Sequence, residues 1–221
     1  MSFDAATSYR LLLAAIVIGA GAGGPVGCVV AEKKGAWIGT LAGAAAAALC
    51  TGLLAQSSLL RGERPFLIAT LLAAAGCGLL AGFFFGFSAL IMRSLARQPP
   101  SAGMATMQTI NVEVFNPWFG VAFVATPAAC ALVMILSLVH WHHPAATYML
   151  IGGALYLLGT LWVTVLFNIP RNNALAAVEA TAPEAPQLWS GYLRTWTAWN
   201  HVRTAGALAA ALVLMLGLIE G

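Results

Sequence analysis

Long apolar runs separated by shorter polar stretches form the main pattern of this chain. Six runs reach, or nearly reach, the length that a helix needs to cross a hydrocarbon core of about 30 Å. They cover residues 11–31, 36–55, 66–92, 118–139, 146–167 and 204–219. The last run is short, but a helix that enters it from about residue 187 would lengthen it. The pattern predicts an all-α polytopic membrane protein with six transmembrane helices.

The composition supports this class. Of 221 residues, 61% are apolar and 8% are charged, whereas soluble domains carry about 25% charged residues. This balance excludes a soluble enzyme, a disordered chain and a nucleic-acid-binding protein, and it makes membrane lipid the expected surroundings. The four cysteines all lie inside apolar runs without a Cys-x-x-Cys pair, so we expect buried, inert thiols. They are Cys28, Cys50, Cys77 and Cys130.

Basic residues predict the orientation. With six spans, three of them fall on one side: Arg10, Arg61 and Arg64. Seven fall on the other side: Lys33, Lys34, Arg93, Arg97, Arg171, Arg194 and Arg203. Because positive residues concentrate in cytoplasmic loops, the second side is predicted to be cytoplasmic. The chain is then a multi-pass protein of the cell membrane with both termini outside.

Glycines recur every four residues in three series. The series are Gly19, Gly23 and Gly27; Gly35, Gly39 and Gly43; and Gly78, Gly82 and Gly86. At about 3.6 residues per turn, each forms a smooth stripe that lets another backbone approach closely. The stripes indicate either packing within the protein or an interface in a homo-oligomer or pore. The first two lie on adjacent spans, so we expect a glycine-zipper hairpin over residues 1–60, followed by a four-helix bundle over residues 61–221.

No Asp, Glu, Lys or Arg lies in the middle of a predicted span. Ion pumps, proton-coupled carriers and voltage sensors place such residues there, so the pattern disfavours these classes. A functional site must therefore use neutral polar groups or residues near the membrane surface.

Amides form the first candidate group. Gln108 and Asn111 share one face of a predicted helix and are followed by Asn116. They can bind a polar ligand, or they can cap helices and bond to neighbouring backbone. Asn116 before Pro117 is typical of a helix start, and Ser101 is expected to cap the helix before it.

A polar segment with a proline follows the fifth apolar run. Pro170 disfavours helical geometry at the preceding residue and removes a hydrogen-bond donor. Asn168 and either Asn172 or Asn173 could satisfy the freed backbone groups. Arg171 could anchor the helix or bind an anionic group.

Aromatic residues line one face of the last predicted helix at spacings of 3, 4, 3 and 4. The stripe consists of Trp189, Tyr192, Trp196, Trp199 and Arg203. It can be a belt at the membrane interface, or the wall of a pocket for a flat aromatic ligand. In a pocket, Asn200 and Arg203 would supply the polar contacts.

Histidines occur in two places. Three of them precede Pro144 at a short junction between spans: His140, His142 and His143. Without a carboxylate or cysteine nearby, an exposed turn is favoured over a metal site, and we expect no metal. His201 lies beside Asn200 and near Arg203, so it is a candidate base.

Several motifs occur in a recognisable order. They are GFFFGFS from Gly82, MQTIN from Met107, FNIPRN from Phe167, WSGY from Trp189 and WTAWNHVRT from Trp196. Over about residues 67–219 the chain resembles the bacterial branch of the anthrone oxygenase-like family, which consists of four-span membrane proteins. One departure is Arg171, where the family pattern is usually apolar.

The resemblance implies a function and a set of residues. Some fungal members resemble enzymes that oxidise anthrones to anthraquinones with oxygen and without an obvious metal or flavin, so no cofactor is expected. The matching positions are Gln108, Asn111, Asn168, Asn172, Trp196, Asn200 and Arg203.

The leading hypothesis is a membrane-embedded site for a small aromatic or quinone-like molecule, with oxygenase activity. Asparagines and Arg203 would orient the ligand, Trp196 and Trp199 would stack on it, and His201 would take a proton. We expect one pocket to unite Asn111, Asn168, Asn200 and Arg203. A small-solute carrier or channel and a non-catalytic accessory protein remain alternatives.

The basic asymmetry makes the topology testable. A cysteine at Ser101 should react with a membrane-impermeant maleimide only after cells are permeabilised, whereas a cysteine at Ser57 should react in intact cells. The unsubstituted chain serves as the control for native cysteines. Labelling of Ser101→Cys from outside intact cells would show that the orientation is inverted.

Overall fold

The computed structural model describes residues 63–220. The first two predicted spans, their glycine stripes, the predicted hairpin, Cys28 and Cys50 lie outside the described residues. Within residues 63–220 the chain is helical and contains no strand, as the apolar pattern predicts. The six-span count, the hairpin and the division at residue 60 therefore stay predictions.

Five helices form this part of the chain. Helix α1 runs over Glu63–Gly86, continues as a π-helix over Phe87–Ile91 and ends as an α-helix over Met92–Ala96. Helix α2 covers Pro100–Glu113 and α3 covers Pro117–Val139. Helix α4 comprises Ala146–Tyr156, π-helical Leu157–Trp162 and Thr164–Asn168, and Ile169–Ala176. Helix α5 covers Ala185–Glu220.

Four of these helices are long and apolar enough to cross a membrane: α1, α3, α4 and α5. The helices predicted for the corresponding four runs are confirmed, and α5 begins well before residue 204, as expected. The helices form an up-and-down bundle in which α1 packs against α3 and α5, and α4 packs against the same two. The short helix α2 lies across one end, in contact with α5 and with the final segments of α1 and α4. We call this end of the bundle the α2 end.

Two apolar clusters form the interior. The larger one fills the bundle with small and medium side chains, including Ala73, Leu80 and Leu214. It also contains Cys77 and Cys130, which are free and buried with their Sγ atoms 3.6 Å apart. The second cluster lies at the α2 end and is richer in aromatic and methionine side chains. Many leucines project outward from the bundle, which suits helices surrounded by lipid.

The start of α3 follows the predicted signal. The Asn116 side chain accepts a hydrogen bond from Phe119 N at 3.0 Å, and Pro117 occupies the first turn, where no donor is needed. The prediction for Ser101 is wrong, because α2 already begins at Pro100 and has no side-chain cap.

The non-helical geometry expected at Ile169, before Pro170, is also wrong, since Ile169 is helical and α4 continues through the proline. The preceding turns are π-helical, and Ile169 N donates to Thr164 O, five residues back. Pro170 thus falls in the first turn of the final α-helical segment. A missing N–H costs least at such a position.

Glycines bring helices together at places other than the predicted stripe. A Cβ on Gly78, Gly82 or Gly86 would meet no atom of the described residues within 4 Å, so packing inside this bundle is wrong for that series. Its role in an oligomer stays a prediction. The close approach lies instead between α4 and α5, where a Cβ on Gly206 would lie 2.9 Å from the carbonyl carbon of Gly159.

The crossing of α4 and α5 should be sensitive to one added methyl group. Gly206→Ala places its Cβ against backbone that cannot rotate away, so unfolding free energy should fall by about 1–3 kcal/mol. Gly82→Ala, a matched change in open space, should leave stability unchanged or raise it by up to about 1 kcal/mol. Thermal unfolding of the two purified variants in detergent measures the difference. Equal melting temperatures would contradict the close packing.

Candidate functional site

A cavity of about 290 Å³ lies at the α2 end of the bundle. All five helices contribute to its lining, which is mainly apolar. Its aromatic walls consist of Phe83, Phe84, Phe87, Phe115, Phe119, Phe123 and Trp196. Its polar lining consists of Asn111, Asn116, Thr164, Asn172 and Arg203. The cavity can thus surround a flat apolar molecule and offer it a few directed polar contacts.

Arg203 on α5 is the charged residue of this lining and is only 5% exposed. Its Nη2 atom donates to Asn200 Oδ1 at 2.5 Å, and its Nη1 atom donates to Thr164 Oγ1 at 3.3 Å. The guanidinium carbon lies 4.3 Å from the centre of the Phe84 ring and 5.1 Å from that of Trp196. Its Nε atom has no hydrogen-bond partner among the described residues. The group is therefore fixed in place by neutral partners.

Asn200 sets the position of this guanidinium. Its side chain is fully buried, and its Nδ2 atom donates to Phe84 O at 2.7 Å and to Ser88 Oγ at 2.6 Å. Both amide hydrogens are thus used on α1, which leaves the amide oxygen for Arg203. The accepting carbonyl lies just before the π-helical segment Phe87–Ile91.

The charge of Arg203 has no ionic partner in the part of the chain that the structure describes. Its hydrogen bonds go to an amide and a hydroxyl, and both ring contacts are with uncharged side chains. Burying an unpaired charge is costly, and hydrogen bonds with cation–π contacts offset only part of that cost. The polar end of the cavity therefore carries an excess of positive charge.

Two asparagines of α4 connect the site to α5. Asn172 Oδ1 accepts hydrogen bonds from the Tyr192 hydroxyl at 2.9 Å and from Trp196 Nε1 at 2.7 Å, which fixes the indole that walls the cavity. Asn168 Nδ2 donates to Trp196 O at 3.3 Å, while its Oδ1 has no partner among the described residues. These hydrogen bonds go to α5, whereas the sequence also allowed the two side chains to bond to the backbone freed by Pro170.

The two amides of α2 have different surroundings: Gln108 bonds to another helix, and Asn111 faces the cavity. Gln108 Nε2 donates to Leu175 O at 2.8 Å and to Val178 O at 2.9 Å, so it ties α2 to the end of α4. Asn111, one turn further, lines the cavity. Its buried Nδ2 atom makes no direct hydrogen bond in the described chain, although the Tyr192 hydroxyl lies near enough to interact with it. Asn111 and Arg203 thus share one cavity from different helices. Asn168 and Asn200 lie behind its lining, each bonded to a group of the same network.

The aromatic stripe of α5 faces inward. Trp189, Tyr192 and Trp196 are buried and stack in succession, with ring centres 5.7 and 5.9 Å apart. A lipid-facing belt is therefore the wrong interpretation for these three. Trp199 lies outside the lining and stacks on Phe167, with ring planes 6° apart.

The remaining candidates lie elsewhere. His201 is exposed and lines a shallow outer groove with Arg93 instead of the cavity. Arg171 donates to Phe167 O at 2.6 Å and to Thr195 Oγ1 at 3.1 Å, which suits an anchor between α4 and α5. The three clustered histidines occupy the α3–α4 connection, at the opposite end of the bundle.

Sequence reasoning missed several cavity residues. Phe119, Phe123 and Thr164 lie inside apolar runs, where nothing local separates a cavity wall from a lipid-facing position. The phenylalanines of the GFFFGFS motif carry a signal in the sequence only as part of the family pattern. The inward orientation of Phe84 gives that motif a physical role.

Over residues 63–220 the chain is an all-helical bundle with four candidate membrane spans and an aromatic cavity at one end. Residues 113–213 match the model of the anthrone oxygenase family. The predicted resemblance to the anthrone oxygenase-like family is therefore confirmed over this part of the chain, which contains α3, α4 and most of α5. No curated protein and no solved structure shows significant similarity to the chain.

The hydrogen bonds of Asn200 should contribute strongly to the free energy of unfolding. Asn200→Ala would leave the guanidinium of Arg203 and the hydroxyl of Ser88 without this partner, so unfolding free energy should fall by about 3 kcal/mol. Asn173→Ala, an equal truncation at an exposed position of α4, should change it by less than about 0.5 kcal/mol. Thermal melts in detergent test both variants. A wild-type melt for Asn200→Ala would show that the network is not formed.

Proposed function

We propose that the cavity binds a small planar aromatic or quinone-like molecule and that the protein is an oxygenase of the anthrone type. The observation that carries the proposal is the combination of phenylalanine walls with two residues that hold unused N–H groups, Arg203 and Asn111. The family match over residues 113–213 supports the reaction class.

The chemistry needs little from the protein beyond binding and charge stabilisation. An anthrone has a CH2 group activated by a conjugated carbonyl, and loss of one proton to water gives an enolate. The enolate carbon transfers its electrons to O2 and forms a C–O bond, and protonation gives a hydroperoxide. Loss of one water then yields the quinone carbonyl, so anthrone and O2 give anthraquinone and water.

Arg203 and Asn111 would act on the enolate oxygen. A fixed positive group and an amide donor stabilise charge that develops on oxygen, and they do so more strongly away from bulk water. The aromatic walls would hold the rings. His201 lies outside the cavity, so this proposal assigns it no proton transfer.

The position of the cavity along the bundle, near the expected edge of the hydrocarbon core, suits a lipid-soluble substrate. Helix α5 has 36 residues, about 54 Å at about 1.5 Å per residue, whereas a hydrocarbon core of about 30 Å takes about 20. The first turns of α5, together with α2, would then extend past the hydrocarbon, with the cavity near its boundary. Trp118, beside the cavity and 88% exposed, is typical of a membrane interface. We propose that this boundary faces the cytoplasm.

The packing supports a closed site more than a channel. Beyond the cavity, the middle of the bundle is filled by fully buried apolar side chains, among them Leu80, Leu161 and Leu214. The accessory-protein alternative has support from Gln108 and Asn168, which bond to neighbouring helices. Turnover and binding experiments separate these alternatives.

Filling the cavity should abolish activity without unfolding the protein. Gly120 lines the cavity, and a Cβ there would meet no atom of the described chain within 4 Å. Protein in nanodiscs with anthrone and oxygen should form anthraquinone, detected by mass spectrometry. Gly120→Leu should lower the rate at least about tenfold, because its side chain occupies the substrate's space.

Gly82→Leu is the matched control, since this helical glycine also has open space around it but lies outside the cavity lining. It should retain the wild-type rate. Anthraquinone formation no faster than in protein-free nanodiscs would contradict the oxygenase proposal. Equal rates for both leucine variants would place the reaction outside this cavity.

A further inference from the structure

We infer that the cavity takes its ligand as an anion, so that its preferred ligands are lipophilic weak acids carrying an enolate, phenolate or carboxylate on a fused aromatic ring system. This inference rests on the proposed site and specifies the charge of what binds there. The oxyanion would accept hydrogen bonds from the guanidinium of Arg203 and the amide of Asn111. A neutral quinone would be a poorer ligand.

Charge balance is the first argument. Among the described residues that line the cavity, Arg203 is charged and none is a carboxylate. A neutral ligand would leave the guanidinium without a counter-charge in surroundings of low polarity. An anion supplies that counter-charge, and the interaction is stronger than it would be in water.

The unused donors are the second argument. Arg203 is 95% buried by its 5% exposure, and its Nε–H has no acceptor among the described residues. Asn111 Nδ2 is likewise buried and makes no direct hydrogen bond among the described residues, although the Tyr192 hydroxyl lies near enough to interact with it. Buried N–H groups nearly always have partners. An unpartnered Nε–H on Arg203, with an incompletely bonded amide beside it, indicates a ligand that brings acceptors and no donors, which describes an oxyanion.

Rigidity is the third argument. The guanidinium is held by Asn200, Thr164 and the faces of two aromatic rings. It cannot extend to bulk water, so its charge stays beside the cavity whether or not a ligand is bound. A charge fixed in advance binds an anion without a further cost of reorganisation.

The aromatic walls determine the orientation of the ligand in the cavity. The faces of phenylalanine rings carry partial negative charge, so an oxyanion is disfavoured against them and favoured near Arg203 and Asn111. The ring system would lie against Phe83, Phe119 and Phe123, whose rings contact one another and form one continuous wall. The ligand is therefore expected to lie with its acidic group toward α5 and α2.

A pair of isosteric probes tests the charge preference. The full-length protein is placed in phosphatidylcholine nanodiscs, and 9-anthracenecarboxylate and 9-anthracenecarboxamide are titrated by their fluorescence, with empty nanodiscs subtracted. The two probes differ mainly in charge. The carboxylate should bind at least about tenfold more tightly than the amide.

Three variants assign that preference to the cavity. Arg203→Gln should make the two affinities equal within about twofold, whereas Arg194→Gln, an exposed position on the same helix, should keep the wild-type ratio. Asn111→Asp leaves the hydrogen bonds of Arg203 untouched and adds a negative charge to the lining. It should weaken carboxylate binding at least about tenfold and change amide binding little, so it decides the matter even if Arg203→Gln does not fold.

The outcomes separate this inference from the proposed reaction. Equal affinities in the wild-type protein, or a carboxylate preference that survives both Arg203→Gln and Asn111→Asp, would overturn the anion site. Anthrone oxidation without any carboxylate preference would overturn this inference and leave the oxygenase proposal standing. A carboxylate preference without anthrone oxidation would support the anion site and overturn the oxygenase proposal.

Discussion

The buried guanidinium of Arg203 constrains the arrangement of three helices. A full positive charge inside an apolar bundle costs several kcal/mol unless it has hydrogen-bond partners. Those partners come from α5 itself and from α4, while α1 supplies one of its ring contacts and, through Phe84 O, holds Asn200. The glycine contact between α4 and α5 lies one turn away and lets Thr160 Oγ1 reach the Arg203 carbonyl at 3.1 Å. The need to bond the Arg203 guanidinium thus explains both the register of these helices and the polar end of the cavity.

The π-helical departures from regular α-helix lie at the same height along the bundle as the hydrogen bonds of Arg203 and Asn200. The π-helical segments Phe87–Ile91, Leu157–Trp162 and Thr164–Asn168 all lie near the network, whereas the parts of α1, α3 and α5 that cross the apolar core are regular. Widened turns change which carbonyls are bonded within a helix, and in lipid each such group needs a partner. Asn200 and Asn168 bond to carbonyls of neighbouring helices, those of Phe84 and Trp196, which lie outside the π-helical segments. The asparagines thus join helices whose geometry is adjusted around the cavity.

Helix α2 completes the lining of the cavity at this end of the bundle. Gln108 bonds it to the end of α4, and Gly103 fits where a Cβ would lie 2.8 Å from the Leu95 carbonyl oxygen. This fixed position brings Asn111 to the cavity and covers the aromatic stripe of α5. Trp189, Tyr192 and Trp196 are buried for that reason. The same stripe on an uncovered helix would face the membrane interface, which explains why both interpretations suited the sequence.

The sequence by itself determined the helical class and the four described spans, because a membrane of fixed thickness requires apolar runs of fixed length, and that property is local. Its motifs also indicated the family and the amides of the site. It could not decide whether an asparagine caps its own helix or reaches another one. Asn200 contacts a carbonyl 116 positions away, and Pro170 is tolerated through the π-helical turns before it. Such choices depend on which helices become neighbours, and only the tertiary structure settles that, since distant groups compete for the same few buried hydrogen-bond partners.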